Sequence, residues 1–329
     1  MQQSEQKTPL LSFCIPTYNN PISVDQLLEQ LAPQWTEDIE VIVRDDSTTA
    51  ATEEVVRRWA SKIPIQYFHG KKEGLDPAII FMTEKARGKY VWWFGNDDLQ
   101  PGAIKKILAT VKNEPEISFL LLNYQAFDRT VPAYPNSGDF QFKDRNEVIE
   151  KSGGNLGFIT VTIFERAKAI PGIERSKKYL GSAFVNLYLI FEVLSTSTAL
   201  KFISFPYVHN HPNTQGEVND NGFEVFGVNF FNIGMEFKKA FSRKSLRTLL
   251  KKNFGYVWRG VLVRWVTGYE SPKGKRLPML RLYWSFPEFW LAAPFLVLPL
   301  WANRLFFRFY KIFFNERKFI FAGATKHKS

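Results

Sequence analysis

Four short apolar runs, each closed by a polar cluster and followed by a segment with helical spacing, confine this chain to a few folds. The runs are 10–15 (LLSFCI), 39–43 (IEVIV), 63–69 (IPIQYFH) and 90–94 (YVWWF). Between them, Val24, Leu27, Leu28 and Leu31 share one helical face, and residues 52–62 open with acids in a first helical turn. A third helical segment reaches about Arg87, where Gly88 marks its end. Strands alternating with helices of roughly a dozen residues imply βαβ units, an α/β fold with a mostly parallel sheet flanked by helices, and right-handed crossovers. In such sheets a ligand binds beyond the carboxyl ends of the strands. Three polar clusters occupy those ends: Pro16 to Asn19, Asp45 to Ser47, and Asn96 to Asp98. No GxGxxG or GxxxxGKS/T follows any of the strands, which disfavours an ordinary dinucleotide fold or a P-loop.

The stretch Lys89 to Pro101, KYVWWFGNDDLQP, carries the most chemistry. A buried strand that ends on two adjacent carboxylates places charge where it is costly without a partner. A divalent cation supplies one, because Asp oxygens are hard ligands suited to Mg²⁺ or Mn²⁺ and commonly share the ion with substrate phosphates. The same residues also fit a turn in which Asp98 caps the next helix and Pro101 lies early in it. Asp45 and Asp46 likewise fit an Asx turn between strand and helix.

Further along, a helix from Pro101 to about Asn113 leads to a strand at 118–127, and 158–166 (FITVTIFER) is another strand candidate. Residues 179–200 have the helical spacing of large apolar side chains, and 201–220 close as strand plus loop. The single Cys14 lies inside an apolar strand pattern, so this 329-residue chain has neither a disulfide framework nor a cysteine metal site. The start, MQQSEQKTPL, lacks the basic and apolar regions of a signal peptide, and the expectation is a protein that stays in the cytosol.

In this order, the three clusters resemble the glycosyltransferase family 2 nucleotide-sugar transferases of the GT-A fold, which is Rossmann-like. The resemblance runs over roughly Leu10 to Gly216 and rests on SFCIPTYNN, EVIVRDDSTT and ARGKYVWWFGNDDLQPGAI. Within the family, SGGNLGFITVTIFER and YLGSAFVNLYLIFEVL look most like the abequosyl-type (dideoxyhexosyl) transferases of O-antigen synthesis. The resemblance implies a metal-dependent, hexosyltransferase-type enzyme that takes a nucleotide-sugar donor and uses Mg²⁺ or Mn²⁺. It implies that Pro16, Thr17, Tyr18 and Asn19 wall the nucleotide base and that Asp46 accepts from the base's ring N–H. Asp97 faces the ribose or the metal, and Asp98 is the metal ligand. Lys71 and Lys72, of which Lys72 is the candidate for the diphosphate, also fit a solvated charge pair beside a glycine. Of the two histidines in the strand-end loop, His209 and His211, the latter is favoured as a further metal ligand.

One departure stands out. Inverting members of the family place a carboxylate at the start of the helix after the acceptor strand, as general base. The corresponding residues here, Tyr179 to Asn186, contain none, and Glu192 lies about two turns further on. The base is therefore unassigned. Another residue serving as base, retention of configuration without an enzymic base, and a catalytically silent GT-A-like scaffold are the readings this leaves open.

Charge is distributed unevenly. The net charge of +11 comes from residues 236–329, with 20 Lys/Arg against 4 Asp/Glu, while residues 1–235 have 23 against 28. Residues 289–303 are uncharged but contain Pro294 and Pro299, and a spanning helix needs about 20 apolar residues. Arg304, Arg308 and Lys311 recur among Leu305, Phe306, Phe307, Phe309 and Phe313, with Trp290 and Trp301 nearby, the pattern of a helix lying in a membrane interface. A buried amphipathic helix is the alternative. Nucleic acid would explain the charge but not the hydrophobic run. The expected organisation is thus a tail at 1–9, a catalytic domain at 10–220, and a basic, aromatic, helical membrane-associating region at 221–329. Its partners would be a lipid-linked glycan acceptor and an anionic membrane surface at the cytoplasmic face of the plasma membrane, reached peripherally or monotopically.

Overall fold

The computed structural model describes residues 8–127, 130–135, 138–211, 223–267, 274 and 276–313. The chain divides into two compact units, Met1–Val148 with Asn155–His211, and Ile149–Gly154 with Pro212–Ser329.

The first unit is built on one sheet. Its strands are β1 (Leu11–Thr17), β2 (Ile39–Asp45), β3 (Ile65–His69), β4 (Tyr90–Trp93), β5 (Asp98–Leu99), β6 (Phe119–Gln125), β7 (Phe140–Gln141), β8 (Thr162–Glu165) and β9 (Leu200–His209). Their order is β3-β2-β1-β4-β8-β6-β9-β5, and β7 also pairs with β9. Helices α1 (Pro21–Leu31), α2 (Ala51–Ala60), α3 (Leu75–Lys85) and α4 (Ala103–Asn113) alternate with the early strands. After them come α5 (Arg145–Ser152), which belongs to this unit only as far as Val148, the single turns α6 (Arg166–Ala169) and α7 (Ile173–Ser176), and α8 (Val185–Thr196).

The first four strands run parallel, as the alternation with helices requires. β4 lies inside the sheet, between β1 and β8, so both of its faces are covered and its run need not alternate with polar residues. Tyr90, Val91, Trp92 and Trp93 are all buried. The two indoles are satisfied there: Trp92 Nε1 donates to the Thr160 carbonyl at 2.8 Å, and Trp93 Nε1 to Thr83 Oγ1 at 3.3 Å.

Beyond β4 the sheet is mixed, which corrects the expectation of a mostly parallel sheet. β8 runs antiparallel to both β4 and β6, and β5 and β7 run antiparallel to β9, while β6 and β9 are parallel. Apolar runs encode burial but not direction, so only the early strands, with their intervening helices, announced theirs. Residues 158–166 are also not one strand: Ile159–Val161 form a 3₁₀ turn before β8. Nor does Asp98 cap a helix. It lies in β5, and α4 starts at Ala103 after Gly102, whose φ of +82° suits glycine.

The described part of the second unit is helical: a π-helical turn (Phe223–Asn229), α9 (Phe230–Glu236), α10 (Arg243–Thr267), α11 (Arg276–Tyr283), α12 (Pro287–Val297) and α13 (Leu300–Phe313). Its core gathers Phe254, Tyr283, Phe286 and Phe289, and the Tyr283 hydroxyl donates to the Gly227 carbonyl at 2.7 Å. Asn303 is buried between α12 and α13 and donates to the Phe295 carbonyl at 2.9 Å, which fixes the turn at Leu298 and Pro299. No described helix is long and apolar enough to cross a membrane. Residues 212–222 and 314–329 lie outside the described residues, so the ends of the regions expected at 201–220 and 221–329 fall there.

Candidate active site

The carboxyl ends of β1, β2 and β4 bring the three clusters to one edge of the sheet, because these strands are in parallel register, with Thr17 opposite Asp45. Asn19 fastens the first cluster to the second. Its Oδ1 accepts from the Thr48 amide at 3.0 Å, and its own amide donates to Ser47 Oγ at 2.7 Å. It adopts φ +46°, the left-handed region that Asn tolerates better than most residues. Tyr18 carries the Lys72 ammonium over its ring at 4.6 Å, which places the lysine candidate beside the first loop. The Thr17 hydroxyl is buried without a hydrogen-bond partner.

Of the adjacent pair, Asp45 is structural. Its Oδ1 accepts from the Ser47 amide at 2.9 Å, closing an Asx turn, and its Oδ2 accepts from the Tyr67 hydroxyl at 2.8 Å. Asp46 accepts from Arg44 Nε at 2.8 Å and from the Glu73 amide. Burial outweighs these partners and holds the Asp46 carboxyl above its ordinary value.

The acidic tip divides its labour in the same way. Asp97 is buried, and burial raises its carboxyl above the ordinary carboxylate value. Thr160 Oγ1 donates to its Oδ2 at 2.5 Å, and Asn210 Nδ2 and the His211 amide donate to Oδ1 at 2.9 and 3.3 Å. Asp98 is more open. Gln30, from α1, donates to its Oδ1 at 3.1 Å and accepts the Leu99 amide at 2.7 Å. Asp98 Oδ2 faces His211 Nε2 at 3.2 Å, with side-chain exposures of 26% and 48%. His209 lies opposite Asp98 in the β5–β9 pairing. A hard carboxylate oxygen and an imidazole nitrogen fit a Mn²⁺-like ion. Among the described residues no group of three or more His, Cys, Asp or Glu could hold a metal. A two-ligand protein site suits an ion completed by phosphate oxygens and water.

The sequence profile of glycosyl transferase family 2 matches residues 12–169, which carry all three clusters. Those residues are a family 2 glycosyltransferase domain. Abequosyltransferase RfbV of Salmonella typhimurium is 25% identical over 219 residues, covering 60% of this chain and 66% of that protein's length, just under two thirds. Among solved structures, S. aureus TarS 1-349 in complex with UDP-GlcNAc aligns with a TM-score of 0.57 at 16% identity, over 74% of this chain and 71% of that one. Mannosyltransferase PcManGT from Pyrobaculum calidifontis, in complex with GDP-Man and Mn²⁺, gives 0.51 at 14% identity, over 92% and 88%. At these identities the likeness to solved structures is one of fold.

The segment expected to carry a base, beyond the matched residues, remains without a carboxylate of its own. Residues 179–184 form turns before α8, and Glu192, well inside α8, is bound by Arg175 and packed against Gly172. Sequence reading missed Thr160, Asn210 and Gln30. The polar residues at 160 and 210 lie 63 and 113 positions from Asp97, and no local pattern announces such partners.

Proposed function

We propose that the protein transfers a sugar from a nucleotide-sugar donor to a lipid-linked glycan, in the assembly of a surface polysaccharide of the O-antigen type. Residues 10–220 form the catalytic part and 221–329 the membrane-associating part. The observation that carries the reading is the Asp98–His211 pair at 3.2 Å. Pro16, Thr17, Tyr18 and Asn19 line the base. Asp46 accepts from the ring N–H. Lys72 serves the diphosphate, and Asp97 anchors Asn210 and His211 beside the ribose. Asp98 and His211 would hold Mg²⁺ or Mn²⁺, which when bound neutralises the charge of the departing nucleoside diphosphate. The chain's own contribution is to fix the donor between the loops and to keep its acidic oxygens aimed by Gln30 and Thr160. Support for donor and metal comes from the structural neighbours, one in complex with UDP-GlcNAc and the other with GDP-Man and Mn²⁺.

Membrane contact is supported within the second unit by large apolar side chains that its own helices leave outside: Trp284, Trp290 and Trp301 are 61%, 56% and 70% exposed, and Leu291 is 80% exposed. With α12 and α13 at 11 and 14 residues, both below the roughly 20 needed to span, the reading is an in-plane, aromatic and basic surface. Hydrolysis of a panel of UDP-, GDP- and CDP-sugars, with Mn²⁺, with Mg²⁺ and with EDTA, tests the enzyme. Binding of no donor under any of these conditions ends the proposal. Flotation with phosphatidylglycerol and with phosphatidylcholine vesicles tests the surface. Retention only on the anionic vesicles is expected, and salt-sensitive binding to DNA in its place would favour a nucleic-acid partner.

A further inference from the structure

Asp76 is a buried carboxylate that the proposed chemistry does not use. It sits in the first turn of α3 and is 2% exposed. Its Oδ2 accepts from the Ala183 amide at 2.9 Å and its Oδ1 from the Val185 amide at 3.0 Å, and the amides of Gly181 and Ser182 also donate to it. Four donors thus close on one carboxylate from across 107 residues of chain. The loop they belong to is bent to do so: Gly181 has φ +83° and Ala183 φ +62°, a region costly for a residue with a Cβ.

Both ends of this link reach the site. On one side, Asp76 follows the loop in which the Glu73 amide donates to Asp46 and Lys72 covers Tyr18. On the other, Phe184 packs against Gly157, and Asn186 Nδ2 donates to the Gly157 carbonyl at 2.9 Å. Three residues on, Thr160 donates to Asp97. The start of α8 is where the family would carry its acceptor-side carboxylate, and here it is fastened by a carboxylate borrowed from α3.

We propose that Asp76 is a positioning residue that ties the loop after β3 to the loop opening α8, so that nucleotide bound at the first changes the mobility of the second. The proposal rests on the glycosyltransferase reading. Asp76 is not the general base, since it is buried and both oxygens are engaged by backbone amides.

The test is amide hydrogen exchange on the full chain, with UDP, GDP and CDP each added with Mn²⁺ and their binding followed by calorimetry. A diphosphate that binds is expected to slow exchange at 181–186. In Asp76→Asn the amides there should exchange about tenfold or more faster, since each charge-assisted bond is weakened. Nucleotide affinity should stay within about threefold while the nucleotide-induced slowing is lost. Asp76→Glu, which keeps the charge but displaces the loop by a methylene, should lose it too. If no diphosphate binds, the glycosyltransferase reading falls and this one with it. If one binds without altering exchange at 181–186, this proposal alone falls. It also falls if either folded variant keeps the response, because a merely structural carboxylate would lower the melting temperature and leave that response intact.

Discussion

Glu40, at the amino end of β2, and Asp98, five residues beyond β4, hold their carboxylates in opposite ways. At the amino ends, Glu40 of β2 is saturated by the fold. It accepts from Ser12 Oγ at 2.6 Å, from the amides of Arg87 and Gly88 at 2.5 and 3.1 Å, from Gln66 Nε2 at 2.8 Å and from Arg87 Nε at 3.0 Å. The chain passes so close to β1 there that a Cβ on Gly88 would lie 2.7 Å from the Ser12 nitrogen. Asp98, by contrast, accepts from Gln30 and faces the exposed His211 at 3.2 Å. A charge that the fold satisfies completely is a structural element. The one left facing an open histidine is the one proposed above to meet the metal.

Substitutions at the two carboxylates sharpen or break this contrast. The largest effect is expected for Asp98→Ala, which should lower turnover by about 10²–10³-fold, near 3–4 kcal/mol of barrier, as for loss of one aimed electrostatic group. Its stability in urea should move by no more than about 0.5 kcal/mol. If Asp98→Ala unfolds the protein, Asp98 is structural as well and the contrast fails. Glu40→Ala should do the reverse, costing about 2–3 kcal/mol of stability because buried amides and a hydroxyl lose their acceptor. Nucleotide affinity of the folded fraction, read by calorimetry, should be unchanged.

A smaller effect is expected at Asn19, the clasp between the first two clusters. Asn19→Ala loses the Thr48 bonds and keeps a strained φ, costing about 1–2 kcal/mol. Asn19→Gly should recover part of that cost in thermal melts but not the donor KM. The smallest effect concerns pH. Burial pushes the Glu40 carboxyl up, but the Ser12 hydroxyl, the Arg87 amide and guanidinium and the Gln66 amide bring it below its ordinary value. Its stabilisation is therefore present above the unfolded pKa and is lost as pH falls through the folded one. Urea midpoints of the wild type should drop on acidification below about pH 4 more steeply than those of Glu40→Gln, a difference on the order of 1 kcal/mol in unfolding free energy.

The amino-acid sequence by itself determined the alternation of strands and helices, the buried YVWWF strand, and the positions of the polar clusters at strand ends. Each of these depends on periodicity or on neighbours a few residues away. Tertiary structure alone decided that β8 enters antiparallel, that Asp45 closes a turn while Asp46 pairs with Arg44, and that Asp97 is enclosed while its neighbour Asp98 faces out. It also decided that the amides opening α8 are held by Asp76 of α3. Two adjacent acids read alike in a sequence. They differ only in which distant hydroxyls, amides and rings reach each oxygen, and that is set by packing between elements dozens of residues apart.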